Sequence, residues 1–338
     1  MELDSVRELK SLAQQKIVQP MLERAVVTSL ALSASEFPAI RTVQPQRFFA
    51  LGVSKHPTRK DYRLAIRLQR HSMRDRPELA RLTEMAKGEV DIQFVGRIQK
   101  RATTRPWEQQ HHRPLRIGTS LGHFRITAGT LGCFVQRGAG DQRLTFILSN
   151  NHVLANENGA TRGDAVLQPG RLDGGTNSKD KIATLSDFVK LKKRHNLLDC
   201  AIAQIDPRTT AFDPGLIEGL GKLAGVASSA VDEGVMVAKL GRTTGLTRGR
   251  VTAFELDDVV VAYDTGNRSF DQTIEIEGVG ANAFSDGGDS GSLIVNSRRE
   301  AIALLFAGSE SGGRNGAGLT YANPIQDVLK ALKIGLIS

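Results

Sequence analysis

Gly287-Gly288-Asp289-Ser290-Gly291-Ser292 sets a serine between glycines, in a backbone able to turn sharply. A serine hydroxyl is a weak nucleophile near neutral pH and needs an adjacent base. Working outward, the chain offers one in Leu148-Ser-Asn-Asn-His152-Val-Leu-Ala155, where a histidine ends a β-type run and a loop can present it to a cleft. An imidazole can take and return a proton because its pKa lies close to 7. Between the two lies Leu197-Leu-Asp199-Cys-Ala-Ile-Ala203, in which an acid opens an apolar strand. Such a carboxylate can fix the imidazole tautomer and steady its charged form. The glycines allow the backbone N–H groups of Gly288 and Ser290 to point together at a developing oxyanion. Singly, each motif has a plainer reading as a structural histidine, a turn acid or a glycine-rich turn. Their order and spacing favour a set: Asp199 follows His152 by 47 positions, and Ser290 follows Asp199 by 91.

The surrounding texture is β-rich. Short apolar runs alternate with Gly, Asn and Asp turns at 132–136, 144–148, 165–168, 181–189, 200–205, 235–240, 250–256, 272–276, 293–295 and 301–306. Many short strands with regular turns predict a sandwich or barrel. The end, residues 324–334, reads as an amphipathic helix with Ile325, Val328, Leu329 and Leu332 on one side.

Residues 120–325 resemble a trypsin/chymotrypsin-type serine protease, whose triad on β-barrels has the same order at gaps of about 45 and 93. SNNHVLA resembles the histidine motif, DCAIAQI the aspartate strand and GGDSGSLIV the nucleophile loop. KLGRTTGLTRGRV (239–251) resembles a strand–turn–strand segment of bacterial members, and LLFAG (304–308) the cleft strand after the nucleophile. SLGHFRITAGTLG (120–132), LSNNHVLANENGA, LQPG (167–170) and DGG (173–175) are similar to a bacterial branch resembling the plant narrow-leaf type of protease.

The resemblance implies a mainly β, double β-barrel protease domain at 113–338, preceded by a small α+β domain at 39–112, and the residues themselves put a helical arm at 1–38 before it. It implies a serine endopeptidase acting through His152, Asp199 and Ser290 by an acyl-enzyme, with oxyanion donors on Gly288 and Ser290. Phe284, Ser285, Phe306, Ala307 and Gly308 would form the substrate pocket. Neither Phe284 nor Ser285 is acidic, so a Lys/Arg preference lacks support unless Asp286 supplies the charge; an apolar or small residue is expected in the pocket. The alternative is a protease-fold scaffold with little turnover, recruited through its basic N-terminal part. A homo-oligomer is implied only through the plant relatives. The chain departs from secreted relatives in having no cysteine beside His152 or Ser290. No cleavable pro-segment is evident before residue 120, so Asp289 is not expected to wait for a released amine.

The first 112 residues carry 20 Lys and Arg against 12 Asp and Glu, so nearly all of the formal net charge of +9 belongs to the first third. Leu3, Val6, Leu9 and Leu12 mark a helix over 2–17, and Pro20 starts or kinks a second helix to about Ser33. Strands are expected at 47–54 and 61–70, a helix at 77–87 and a third strand at 89–98. Residues 99–118 lack periodicity and read as a linker or surface-crossing segment. The basic module is read as lacking exposed aromatics interleaved with its cations, so nucleic acid is a disfavoured partner beside a polypeptide substrate. Two cysteines, Cys133 and Cys200, cannot make a disulfide framework and fit a reducing, cytoplasmic compartment. The apolar run 25–34 is preceded by Glu23 and Arg24 and reads as a buried helix face rather than a signal-peptide core. No run of 18 apolar residues predicts a membrane span. No metal ligand spacing and no nucleotide motif occurs, so neither metal nor cofactor is expected. His195, in a basic loop read as exposed, is the rival imidazole.

Overall fold

The computed structural model describes residues 1–20, 49–69, 73–74, 76–95, 105–229, 231–280 and 282–338. The expected second helix and its closing Pro38 lie outside the described residues. The chain divides into two compact units, Met1–Ala102 and Thr103–Ser338.

In the first unit the helix Leu3–Ala13 continues through a wider turn, Gln14–Val18. The strands Phe49–Lys55, Tyr62–Leu68 and Val90–Phe94 form one sheet in that order, the first pair antiparallel and the second parallel. Parallel neighbours need a crossover, and the helix Pro77–Met85 provides it. Alternation along the middle strand sends Leu64, Ile66 and Leu68 into a core with Ala13, Ile17, Leu79 and Leu82. The N-terminal helix is therefore held by the same core as the sheet.

The second unit contains a closed barrel of six strands and an open sheet of eight. The barrel runs through Met236–Gly241, Gly245–Leu256, Thr273–Gly278, Leu319–Pro324, Ala301–Gly308 and Leu293–Asn296. The open sheet is centred on Cys133–Arg137, Leu144–Ser149, Ala201–Ile205 and Lys181–Phe188. Its core holds Phe134, Phe146, Ile147 and Leu148, packed with Leu293, Leu304 and Val328, the last on the closing helix Ile325–Leu332. A fully buried side chain of this size contributes about 1.5–3 kcal/mol, so the core dominates the unit's stability.

Two expectations change. The described part of the expected linker, residues 105–118, folds onto the second unit. Leu115 and Ile117 are buried, and Leu115–Arg116 pairs in parallel with Phe212–Asp213. Gln168 ties its polar backbone down, donating to Gln110 O at 2.8 Å and accepting from His112 N at 3.0 Å. Side-chain bonds of this kind leave no periodicity to read. The second change is a hairpin absent from the expected strands, Val259–Tyr263 with Gly266–Phe270. No helix among the described residues is long and apolar enough to cross a membrane.

Candidate active site

Strand register brings His152 and Asp199 together. Leu144–Ser149 and Ala201–Ile205 are antiparallel neighbours, with Ser149 opposite Ala201. His152 lies three residues beyond one strand and Asp199 two residues before the other, so both project from the same end of the sheet. The four-residue helix Asn151–Leu154 then turns the imidazole toward the carboxylate. His152 Nδ1 lies 2.6 Å from Asp199 Oδ2. Asp199 Oδ1 accepts the backbone N–H of Asn151 at 2.6 Å and of His152 at 3.3 Å. Asn323 Oδ1 accepts the Asp199 N–H at 2.8 Å, and Asn150 donates to the Asp199 carbonyl at 2.7 Å.

Asp199 is fully buried, and burial alone pushes its carboxyl up. The His152 charge and the bonds from His152 and Tyr263 outweigh that and hold it below the usual carboxylate range. For His152, burial disfavours the cation, but the Asp199 charge and hydrogen bond overcome it and raise the imidazole above its ordinary value. The pair can therefore accept a proton on the imidazole while the acid stays ionised.

Ser290 sits in the loop between Thr273–Gly278 and Leu293–Asn296, and is partly exposed. Its carbonyl accepts Thr130 N–H at 2.8 Å, and Thr130 O accepts the Ser149 hydroxyl at 2.8 Å. Ser149 ends the strand that leads to His152, so the loop is tied to the end of the sheet from which the imidazole emerges. Gly291, at φ 92°, must lack a Cβ because one would strike Ser149 Oγ and Thr130 O. No hydrogen bond joins Ser290 Oγ to His152 among the described residues.

The loop's peptide planes are fixed through their carbonyls. Gly287 O accepts the Thr243 hydroxyl at 2.7 Å. Asp289 O accepts the Ser292 hydroxyl at 2.6 Å and the Ser292 N–H at 3.0 Å. A trans peptide places its N–H opposite its carbonyl, so the Gly288 and Ser290 N–H groups point away from these anchors. Among the described residues neither donates to a protein acceptor, while the N–H groups of Gly287, Asp289, Gly291 and Ser292 all do. This leaves the two expected oxyanion donors available.

Asp289 is the buried centre of the loop. Its Oδ2 lies 3.1 Å from Lys239 Nζ, and both side chains are 0% exposed. Its carboxylate also accepts the Thr243 N–H at 2.8 Å, the Thr244 hydroxyl at 2.6 Å and the Asp286 N–H at 3.0 Å. Burial pulls the Lys239 ammonium down, and Asp289 partly restores it. Every polar residue of the Lys239–Thr244 run thus clamps the loop or its surroundings. Arg242 makes a two-pronged buried pair with Asp173 at 2.6 and 2.8 Å.

The expected pocket residues separate. Phe284 is 1% exposed and packs inside the barrel with Val251, Ile276 and Ile294. Phe306 is also buried, clustered with Leu191 and Phe270. Neither ring faces solvent: Phe284, expected at the pocket base, belongs to the barrel core, and Phe306, expected in a wall, belongs to the separate cluster with Leu191 and Phe270. Ser285 is partly exposed and shares a 2.6 Å hydrogen bond with Thr320. Ala307 is half-buried, and Gly308 is exposed. Asp286 is exposed, and its carboxylate accepts the Gly287 N–H.

The sequence reading missed three contributors. Tyr263 donates its hydroxyl to Asp199 Oδ2 at 2.6 Å. Ser292 anchors the Ser290 loop, and Lys239 pairs with Asp289. For Lys239 the signal was available: a lysine inside an apolar strand needs a buried acid. His195 is an exposed imidazole 2.9 Å from Asp271. With Asp258 it forms the one set among the described residues that brings three metal-ligating atoms within 4.8 Å of one another. Cys133 and Cys200 are both free and buried.

No protein-family model matches the chain, and no curated protein matches it. Among solved structures, it is similar to protease A of Thermobifida fusca, at 19% identity and a TM-score of 0.45, over 66% of this chain and 97% of that one. It is similar to Cellulomonas bogoriensis chymotrypsin at 17% and 0.44, over 65% and 97%. An alpha-lytic protease homologue matches at 19% and 0.47, over 66% and 99%.

Proposed function

We propose that the second unit is a serine endopeptidase. Ser290 Oγ attacks a peptide carbonyl carbon while its proton passes to His152 Nε2. The oxyanion formed is stabilised by the Gly288 and Ser290 N–H groups. His152 then gives the proton to the leaving amine as the C–N bond breaks, leaving an ester on Ser290. Water attacks the ester with His152 again as base, and the proton returns to Ser290 as the acid leaves. Asp199 orients the imidazole and stays ionised throughout.

The single observation carrying this reading is the 2.6 Å His152–Asp199 contact, at the sheet end to which the Ser290 loop is tied. The Lys239–Asp289 pair supports a loop formed without a released amine. Substrates are polypeptides, and no cofactor takes part. Two buried free thiols support a reducing, cytoplasmic setting. The basic first third serves recruitment, to a partner or to further copies of the chain.

A fluorophosphonate probe tests the nucleophile. It should label the folded protein on Ser290 and fail on Ser290→Ala. Absence of labelling in folded protein contradicts the reading.

A further inference from the structure

We infer that Tyr263 is a positioning residue for the His152–Asp199 pair, carried there by the hairpin Val259–Phe270 and held by Glu157. The inference rests on the peptidase reading for its kinetic consequence.

Three contacts carry it. The Tyr263 hydroxyl donates to Asp199 Oδ2, at 2.6 Å, the same oxygen that faces His152 Nδ1 at 2.6 Å. The Tyr263 ring meets the imidazole edge-on, with centroids 5.7 Å apart. Glu157 grips the tip of the hairpin, accepting the backbone N–H groups of Asp264 and Thr265, each at 2.9 Å, and the Thr265 hydroxyl at 2.5 Å. Glu157 lies in the turn just after the helix that bears His152, at φ 53° and ψ 42°. One short stretch of chain therefore fixes the imidazole and the hairpin tip together.

The bland reading is that Tyr263 merely packs the hairpin, since its ring stacks on Phe270 at 6.0 Å. That reading explains the ring and leaves the hydroxyl unexplained. Two donors at one carboxylate oxygen divide its charge between them. Burial, and then the Asp199 charge, hold the phenol well above its ordinary pKa, so it remains a donor. The other charged groups around the pair are Glu157, Asp264 and Arg268, the last 5.8 Å from the Tyr263 ring centroid. With the hydroxyl gone, more of the Oδ2 charge faces the imidazole and stabilises its protonated form.

Tyr263→Phe keeps the ring and its stacking and removes only the hydroxyl. We expect kcat to fall about tenfold with KM within about twofold, because a carboxylate no longer held by the hydroxyl orients the imidazole less closely for proton transfer. The acidic limb of kcat/KM should move to higher pH. NMR titration of His152 in Ser290→Ala, with and without Tyr263→Phe, reads the same shift without turnover. An unchanged titration and an unchanged kcat overturn the positioning role and leave the peptidase reading standing. A shifted titration in a protein that cleaves no peptide does the reverse. Glu157→Ala tests the latch, and also serves if Tyr263→Phe does not fold. Faster hydrogen exchange at the Asp264 and Thr265 amides with a matching fall in kcat supports it, and unchanged kcat overturns it.

Discussion

Asp199 shows how much one carboxylate can order. Removed wholly from water, it stays ionised because a histidine, a tyrosine and two backbone N–H groups face its two oxygens. The raised His152 sets the pH response. Attack needs the neutral imidazole, so the acidic limb of kcat/KM should have its midpoint above about 6.5, the ordinary imidazole value. A pH–rate profile with a midpoint at or below that value contradicts the pairing. The same shifts act on stability with opposite signs. The His152 contribution is complete below the unfolded imidazole pKa and fades as pH rises through the folded one. That of Asp199 is present above the unfolded carboxyl pKa and fades as pH falls through its lower folded value.

Lys239 belongs to the residue scale too. Lys239→Met leaves Asp289 buried without its cation, which costs about 3–5 kcal/mol. Chemical denaturation should show that loss, and a change under about 1 kcal/mol would mean the threonines and backbone suffice to hold the carboxylate.

At the scale of elements, the Ser290 loop is legible in sequence and the hairpin is not. GGDSGS carries its own constraints: Gly288 at φ 99° has no room for a Cβ beside Thr243 Oγ1. Gly288→Ala should therefore displace an oxyanion donor and lower kcat by about 100-fold or more, with the fold kept. Intact thermal unfolding with wild-type kcat would show that the donor does not point where proposed. The strands at 133–137, 144–149 and 181–188 are readable because short apolar runs bounded by turn residues enter the core. The hairpin Val259–Phe270 has weaker signals: Val260 is 65% exposed, and its strands form a two-stranded sheet of their own. What holds it are Tyr263, Glu157 and backbone bonds to the 193–196 loop, pairings between distant residues that no local pattern announces. The pocket residues rest on a different footing. Phe284 and Phe306 are placed by position along a resemblance, and both rings are buried, Phe284 in the barrel core and Phe306 against Leu191 and Phe270.

At the scale of the molecule, charge and chemistry separate. The excess of basic residues lies in the first 112, while the candidate site is built wholly within Thr103–Ser338. The charge thus lies outside the unit that holds the candidate site. The site combines residues from both sheets of the second unit. His152 and Asp199 come from the open sheet, and Ser290, Lys239 and Asn323 come from the barrel. Cleavage of a peptide library by the full chain, read by mass spectrometry beside Ser290→Ala, tests the central claim most directly. The account predicts a defined set of cut bonds that Ser290→Ala abolishes. Equal cleavage by both proteins, or none by the folded wild type across the library, would contradict it.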